Sequence, residues 1–515
     1  MTSISRRDAL RAGLTFAGLI ATGSALAACG SDEAGDGGES EGGGTLRWGG
    51  VGAANAVTTD PHGGIPSESD WARFCALYDV LTMPGPDGAV LPWLATEWSA
   101  DQGATRHRFT LREDAVFSDG TPVRAADVLH SLRRIADKAA ENGGRIGTVD
   151  VAKSRAEGDH VLVLETSAPE ADLARALAGQ CFVVPDGTAE FERPVGSGPF
   201  TLTTQEGATA VLTRNDRWWG EGPKLERLEI RAFADPQALS SAVRSGEIDV
   251  AVNVDYATAQ TAERDPARLT VVRRPRSSSY PLVMHLDHAP FDDPRVRRAV
   301  KAAVDRPALV RAVLMGYGTP SNDAPFFADP SYPGDLPAPA RDLTAARDLL
   351  AEAGHAEGFD TVIHATTAYP AMLKTATLLA QQLAEVGIRA EVEEHTPEIY
   401  WSQIYTQVPL YIGYTTDALP IQHWARATTL STAPGNETGW RSQEFDDAFL
   451  AAMATGDADS RRQQLTGLQT QLAEEGGWVM WGVADGVDLA AAAVQDLPEV
   501  SGFARYSLAD TWLRN

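Results

Sequence analysis

Between residues 370 and 395 the chain changes its hydrophobic period within a few positions. Met372, Ala376, Leu379, Leu383 and Val386 recur at the three- and four-residue spacing of a helix with one apolar face. Gly387 follows, a residue that accepts the left-handed backbone of a helix C-terminus. Ile388, Ala390 and Val392 then alternate with polar neighbours, the two-residue period of a strand. A helix that hands directly on to a strand buries its stripe against a sheet, so a mixed α/β or α+β class is expected. The reverse order appears at 227–233 (strand) and 237–245 (helix, closed by Gly246). Strands are expected at 45–48, 106–112 and 160–165, and a hairpin at 200–213 turning at Gln205-Glu206-Gly207. Helices are expected over 67–77 and from Thr121-Pro122, the latter with Val123, Val128, Leu129 and Leu132 inward. No repeat of fixed period is present.

With 515 residues the chain is longer than one core usually supports, roughly 250–300 residues, so two or more lobes are expected. Hydrophobic residues make up 43%, enough to exclude wholesale disorder. A formal net charge of −26 disfavours nucleic acid as a partner, because phosphate binding needs a basic face. Residues 1–28 read as an export signal, to be set aside before fold reasoning. Arg6-Arg7 gives it a twin-arginine type of start, and the apolar stretch from Ala12 to Ala21 is too short to span a bilayer. Leu26-Ala27-Ala28-Cys29 resembles a bacterial lipobox, which would make Cys29 the acylated first residue of the mature chain. Residues 29–44 then form a Gly-rich, acidic tether holding the body near the outer face of the cytoplasmic membrane. The lipid would be the only attachment to the membrane.

Two further cysteines remain, Cys75 and Cys181. Outside the cytoplasm they can form a disulfide or stand as two separate buried thiols. Two Cys without clustered His do not make a metal site, and no metal or cofactor is expected. The chain carries no GxxxxGK[ST], HExxH or GxSxG pattern. Its ten His are scattered, and a strand through 284–288 would place the closest pair, His285 and His288, on opposite faces. No nucleophile–base pair is legible, so an enzyme is not expected.

Several segments in order resemble the extracytoplasmic solute-binding proteins of ABC transporters, in the family 5 (peptide/nickel-binding) class. Asp60-Pro61-His62, Tyr78-Asp79-Val80-Leu81, the 92–98 segment PWLATEW and the pair 109–112 and 116–122 (FTLR, VFSDGTP) carry the first part. Gly196-Ser197-Gly198-Pro199-Phe200, the 214–219 segment RNDRWW, the 245–249 segment SGEID, the 290–299 segment PFDDPRVRRA with Asp305-Arg306, and 345–354 complete it. Any one is weak; their order spans nearly the whole mature chain. Part of the signature has a structural reading. Gly198-Pro199 suits a turn, and Asp292 and Asp293 suit the positive end of a helix. The resemblance implies a two-lobed periplasmic-binding-protein-like clamp of type II with an additional small domain. Lobe I would combine 45–72, 182–273 and 479–515; the small domain would be 73–181; lobe II would be 274–478. A monomer is implied that closes on a peptide or other small solute and delivers it to a membrane permease, without breaking a bond.

The resemblance also implies the site. Gly413-Tyr414-Thr415-Thr416-Asp417 is similar to the family's GWxxD segment, whose Asp in the peptide-binding branch pairs with the ligand's α-ammonium. A charge-assisted hydrogen bond in a closed cleft is short and strong. Asp417, Tyr414, Thr415 and Gly413 are therefore candidate ligand-binding residues, and Tyr280 matches a cleft-lining segment. His423, Trp424, Asn436 and Trp440 follow Asp417 and are further candidates. The family usually continues with a second acid and Pro, whereas Ala418-Leu419-Pro420 follows here, which puts the specificity in doubt. Asp417 favours oligopeptides or other amine-bearing solutes over a nickel chelate. A peptide sensor or chaperone is a further reading within the family, and a secreted hydrolase is the alternative from another class.

Overall fold

The computed structural model describes residues 43–52, 58–65, 67–85, 88–142, 144–417, 420–500 and 502–514. The export signal, Cys29 and the tether up to residue 42 lie outside the described residues, as do Ala418 and Leu419.

Three sheets carry a mixed α/β architecture. A nine-stranded sheet runs in the order Thr415–Thr416, Leu269–Ser279, Gly482–Ala491, Val250–Ala251, Thr45–Val51, Arg227–Phe233, Thr209–Arg214, Phe200–Glu206, with Gly318–Pro320 added beside Gly482–Ala491. A five-stranded sheet runs Ile388–His395, Phe359–Thr366, Leu410–Ile412, Leu282–Met284, Trp478–Val479. A four-stranded antiparallel sheet holds Ala95–Ala100, Arg106–Leu111, Val161–Thr166 and Val149–Ala156. The nine-stranded sheet meets the five-stranded one through two long antiparallel strands: the chain leaves along Leu269–Ser279 and returns along Gly482–Ala491.

The period switch behaves as its spacing predicts. Helix Pro370–Ala384 buries Met372, Ala376, Leu379 and Leu383, and strand Ile388–His395 follows. Gly387 has φ +89°, and Gly358 (φ +73°) starts the neighbouring strand so close that a Cβ on it would meet Gly387 O at 1.9 Å. Ser67 caps helix Glu68–Leu77, and Asp293 accepts the Arg295 N–H at the start of helix Pro294–Ala303. The hairpin forms at Phe200–Glu206 and Thr209–Arg214.

One helix starts later than its sequence suggests. Thr121-Pro122 does not open it; Pro122 instead pairs with Val116 in a β-bridge, and the helix is Ala125–Asp137. Asp127 reaches back to accept the Arg124 N–H at 2.7 Å, which marks the true start. The disulfide considered for Cys75 and Cys181 does not form: both are free thiols. They face different cations, Arg505 beside Cys75 and Arg145 beside Cys181, and burial pushes each thiol up to about 12.

The motif segments converge on Asp79. Its carboxylate accepts the indole N–H of Trp93 (2.7 Å), Trp218 (3.3 Å) and Trp219 (2.9 Å), while Arg112 stacks 3.4 Å over the Trp219 ring. Gly198 takes its place by close approach rather than by turn geometry alone: a Cβ there would sit 2.6 Å from the Leu77 carbonyl carbon. Burial raises the Asp79 carboxyl to about 6, against the three indole hydrogen bonds that lower it. A folded value above the unfolded one means the group's stabilising contribution is full at acid pH and is lost as pH rises through about 6, a difference of roughly 3 kcal/mol. Tryptophan emission should therefore titrate with a midpoint near 6, and Asp79→Asn should abolish the step. A flat wild-type profile between about pH 5 and 7 would refute this.

Candidate cleft between the sheets

The strand Leu269–Ser279 carries a defect that shapes the site. Its pairing with Gly482–Ala491 shifts register between Arg274 and Ser278, and Arg276 takes φ +61°. The bulge comes where Pro275 removes a ladder donor. Beyond it, Ser278 and Ser279 pair with Thr416 and Thr415, which places Asp417 at the sheet edge, its N–H donating to Ser277 O at 3.1 Å.

Asp417 lines a cavity of about 580 Å³. Its walls come from distant stretches of chain: Pro84, Gly85 and 88–90 with Arg175 and Ala178, the bulge at Pro275 and Arg276, residues between Phe327 and Gly334, Pro420, and the C-terminal Val500, Gly502 and Phe503. That volume is ordinary for a small-molecule site. Four charged side chains line it, two of each sign: Asp417, Asp329, Arg276 and Arg175. Arg276 donates to Phe327 O and lies 4.4 Å over the Tyr332 ring. Asp329 accepts the Ser331 hydroxyl (2.5 Å) and N–H (2.9 Å), and Arg175 pairs with Asp172 at 2.8 Å. Burial raises the Asp329 carboxyl, opposed by those Ser331 bonds.

Asp417 itself is half-buried, and its carboxylate accepts the Gly502 N–H at 2.6 Å. Burial raises its pKa, while Arg505 and Arg274 pull it down. A polar network continues from there. Arg505 donates to both Glu68 oxygens (2.9 and 2.7 Å), Tyr506 donates to Glu68, and Asn253 donates to Glu68 at 2.6 Å. Burial works against the Arg505 charge, but Glu68, Tyr506 and Asp417 together raise its pKa well above the arginine value. Asn253 Oδ1 accepts from Arg274, which forms a two-pronged buried pair with Asp488 at 2.8 and 2.9 Å.

The structure brings some sequence candidates together and not others. Tyr414 stacks on Tyr369 with ring centroids 3.9 Å apart, and Tyr280 lies 5.7 Å from Tyr414. Burial pushes the Tyr280 hydroxyl up to about 12 and Tyr414 well above its ordinary value, so both keep their protons as donors. Gly413 donates to Pro281 O at 2.8 Å, beside Thr415 in the same edge. Of the sequence candidates only Asp417 lines the cavity; Gly413, Tyr414, Thr415, Tyr280, His423, Trp424, Asn436 and Trp440 do not. His423 sits on helix Ile421–Thr428 against Gly147, and burial lowers its pKa to about 4. Asn436 braces its own loop, donating to Trp440 O at 2.7 Å, and Trp440 packs edge-on to Phe445. Arg276, Asp329 and Arg175 were not legible as site residues. The one sequence mark was Pro275 inside a strand run.

His285 and His288 also differ from expectation. The strand ends at Met284, the chain turns, and the two rings meet edge-on at 4.9 Å.

The family model described as "Bacterial extracellular solute-binding proteins, family 5 Middle" matches residues 89–437. The chain belongs to this family. The glutathione-binding protein GsiB of Escherichia coli (strain K12) is 25% identical over 408 residues, covering 75% of this chain and 79% of that protein. Among solved structures, the periplasmic binding protein DppA from Helicobacter pylori in complex with the peptide STSA overlays with a TM-score of 0.74. It is 20% identical, covering 92% of this chain and 99% of that one. NikZ from Campylobacter jejuni in complex with Ni(L-His) gives 0.74 at 18% identity, covering 91% and 99%. The fold is thus the two-lobed type II periplasmic-binding-protein architecture of family 5. The protein is a family 5 solute-binding protein, and its relatives are binding components of transporters rather than enzymes. Among the described residues no helix is long and apolar enough to cross a membrane.

Proposed function

We propose that this protein is the lipid-anchored receptor of an ABC importer and that it captures short peptides, or similar solutes bearing both an amine and a carboxylate. The observation that carries this reading is the half-buried Asp417 carboxylate on a cavity that also presents Arg276 and Arg175. Two acids and two bases in one enclosed space complement a zwitterion, with each end met by an opposite charge. Glutathione for GsiB and a tetrapeptide for DppA are ligands of that chemistry. Lobe I comprises 45–72, 182–273 and 479–515, lobe II 274–478 and the small domain 73–181, with closure by bending of the two crossing strands. Cys29 carries the lipid and residues 30–44 supply the tether.

Calorimetry of tag-free protein against glutathione and a panel of di- to pentapeptides tests this. Saturable one-site binding with no product is expected, and N-acetylation of the best peptide should weaken it at least about tenfold by removing the ammonium. Equal affinity for the acetylated peptide would remove Asp417 as the amine receptor.

A further inference from the structure

Away from the cleft, two neighbouring parallel strands bring together three metal-ligating side chains. Strand Ile388–His395 lies at the edge of the five-stranded sheet and pairs only with Phe359–Thr366. The register sets His364 opposite Glu393 and Thr366 opposite His395. Side chains alternate along a strand, so Glu393 and His395 share a face, and His364 joins them from the next strand. His364 Nδ1 is 2.9 Å from His395 Nε2, with the two rings stacked at 5.2 Å between centroids. Glu393 oxygens lie 3.7 Å from the first nitrogen and 3.6 Å from the second. One ligand atom from each residue falls within 4.8 Å of the others. The imidazoles are mostly buried, with 14% and 11% of their side chains exposed, whereas Glu393 is 55% exposed and leaves an entry path. The fully buried Tyr400 ring backs His395 at 6.4 Å. None of the three residues lines the cavity of Asp417.

We propose that His364, Glu393 and His395 form a binding site for a divalent transition-metal ion of the zinc, nickel and copper class, separate from the solute cleft. Two imidazoles and a carboxylate are the donor set such ions select, over the all-oxygen sets of calcium and magnesium. Two nitrogens each about 2.1 Å from one ion stand about 3.0 Å apart at the right angle of a square or octahedral shell and about 3.4 Å apart at zinc's tetrahedral angle. The observed 2.9 Å between the two ring nitrogens, which also lets the rings share a hydrogen bond, meets the right-angle spacing, and a small ring rotation opens it to the tetrahedral one; water completes the shell from the exposed side. An ion there ties the end of an edge strand, held on one side only, to its neighbour.

The probe is Zn²⁺, titrated by calorimetry into metal-stripped mature protein carrying no affinity tag. One equivalent is expected at this site, together with a rise in melting temperature. His364→Ala, His395→Ala and the exposed-site variant Glu393→Gln should each weaken that affinity by at least about tenfold and remove the thermal shift. Glu393→Gln keeps the test valid if either His variant fails to fold, because its side chain bears no packing role. Bound Co²⁺ should show visible d–d bands that the variants lose. The proposal is overturned if wild type binds no Zn²⁺, if all three variants bind it as wild type does, or if binding is lost only with Asp417→Asn. Peptide affinity in the three variants should stay at the wild-type value, which separates this site from the cleft.

Discussion

Asp417→Asn should lower peptide affinity by at least about 30-fold while leaving the melting temperature unchanged or slightly raised. The substitution keeps an oxygen to accept the Gly502 N–H and removes only the charge. Truncating one partner of a desolvated, hydrogen-bonded charge pair costs about 2–5 kcal/mol in binding. In the free protein the same carboxylate is half-buried, and its desolvation raises its pKa. A raised folded value means that ionised Asp417 is a burden on stability at neutral pH, so the neutral amide relieves it. Affinity for an amine-bearing ligand should also fall with acidification earlier than an ordinary aspartate would give, because protonation removes the counter-charge. Calorimetry of wild type and variant across pH measures both effects. A variant that binds as tightly as wild type, with the same pH profile, would end the assignment.

Arg274→Met should cost about 3–5 kcal/mol of stability. Arg274 and Asp488 are both buried in the crossing strands, and removing the guanidinium leaves Asp488 charged with only the Asn253 N–H at 2.8 Å as a strong donor. The strand partner is shaped to the arginine: Arg274 stands opposite Gly486, where a Cβ would lie 2.6 Å from the guanidinium. Replacing both members, as Arg274→Met with Asp488→Leu, should recover most of the loss, because the uncompensated charge is then gone. Urea denaturation of the two single variants and the double gives the cycle. A single-variant loss under about 1 kcal/mol, or a double variant worse than the sum of the singles, would show that the pair is not what holds the strands.

Much of the architecture was legible because it is local. The stripe from Met372 to Val386, the alternation after Gly387 and the Ser67 cap each state their structure within a dozen residues. The motif signature was legible as a pattern and opaque as chemistry. Asp79, Trp93, Trp218 and Trp219 stand up to 140 positions apart and meet at one carboxylate, so they hold the fold where the cavity residues do not. Asp60 and His62 are likewise structural: Asp60 pairs with Arg134 at 2.8 Å and His62 Nε2 meets Phe182 O at 2.9 Å. Arg276 escaped notice because its exposure to the cavity depends on a register shift, which no single strand's sequence displays. His364 and His395 escaped for the same reason, since their approach depends on how two parallel strands align. Asp417 was legible only through the family resemblance, and its Gly502 and Arg505 surroundings come from the far end of the chain.

The bulge at Pro275 and Arg276 has a mechanical consequence. A regular β-ladder resists flexing in its own plane, and compliance collects where hydrogen bonds are missing. Here the soft point lies on one of the two long strands that run between the large sheets, and its residues face the cavity. On the proposed hinge closure, whatever occupies that cavity would rest directly on the pivot, so that filling it and stiffening the waist would be one event, with no relay of side chains between them.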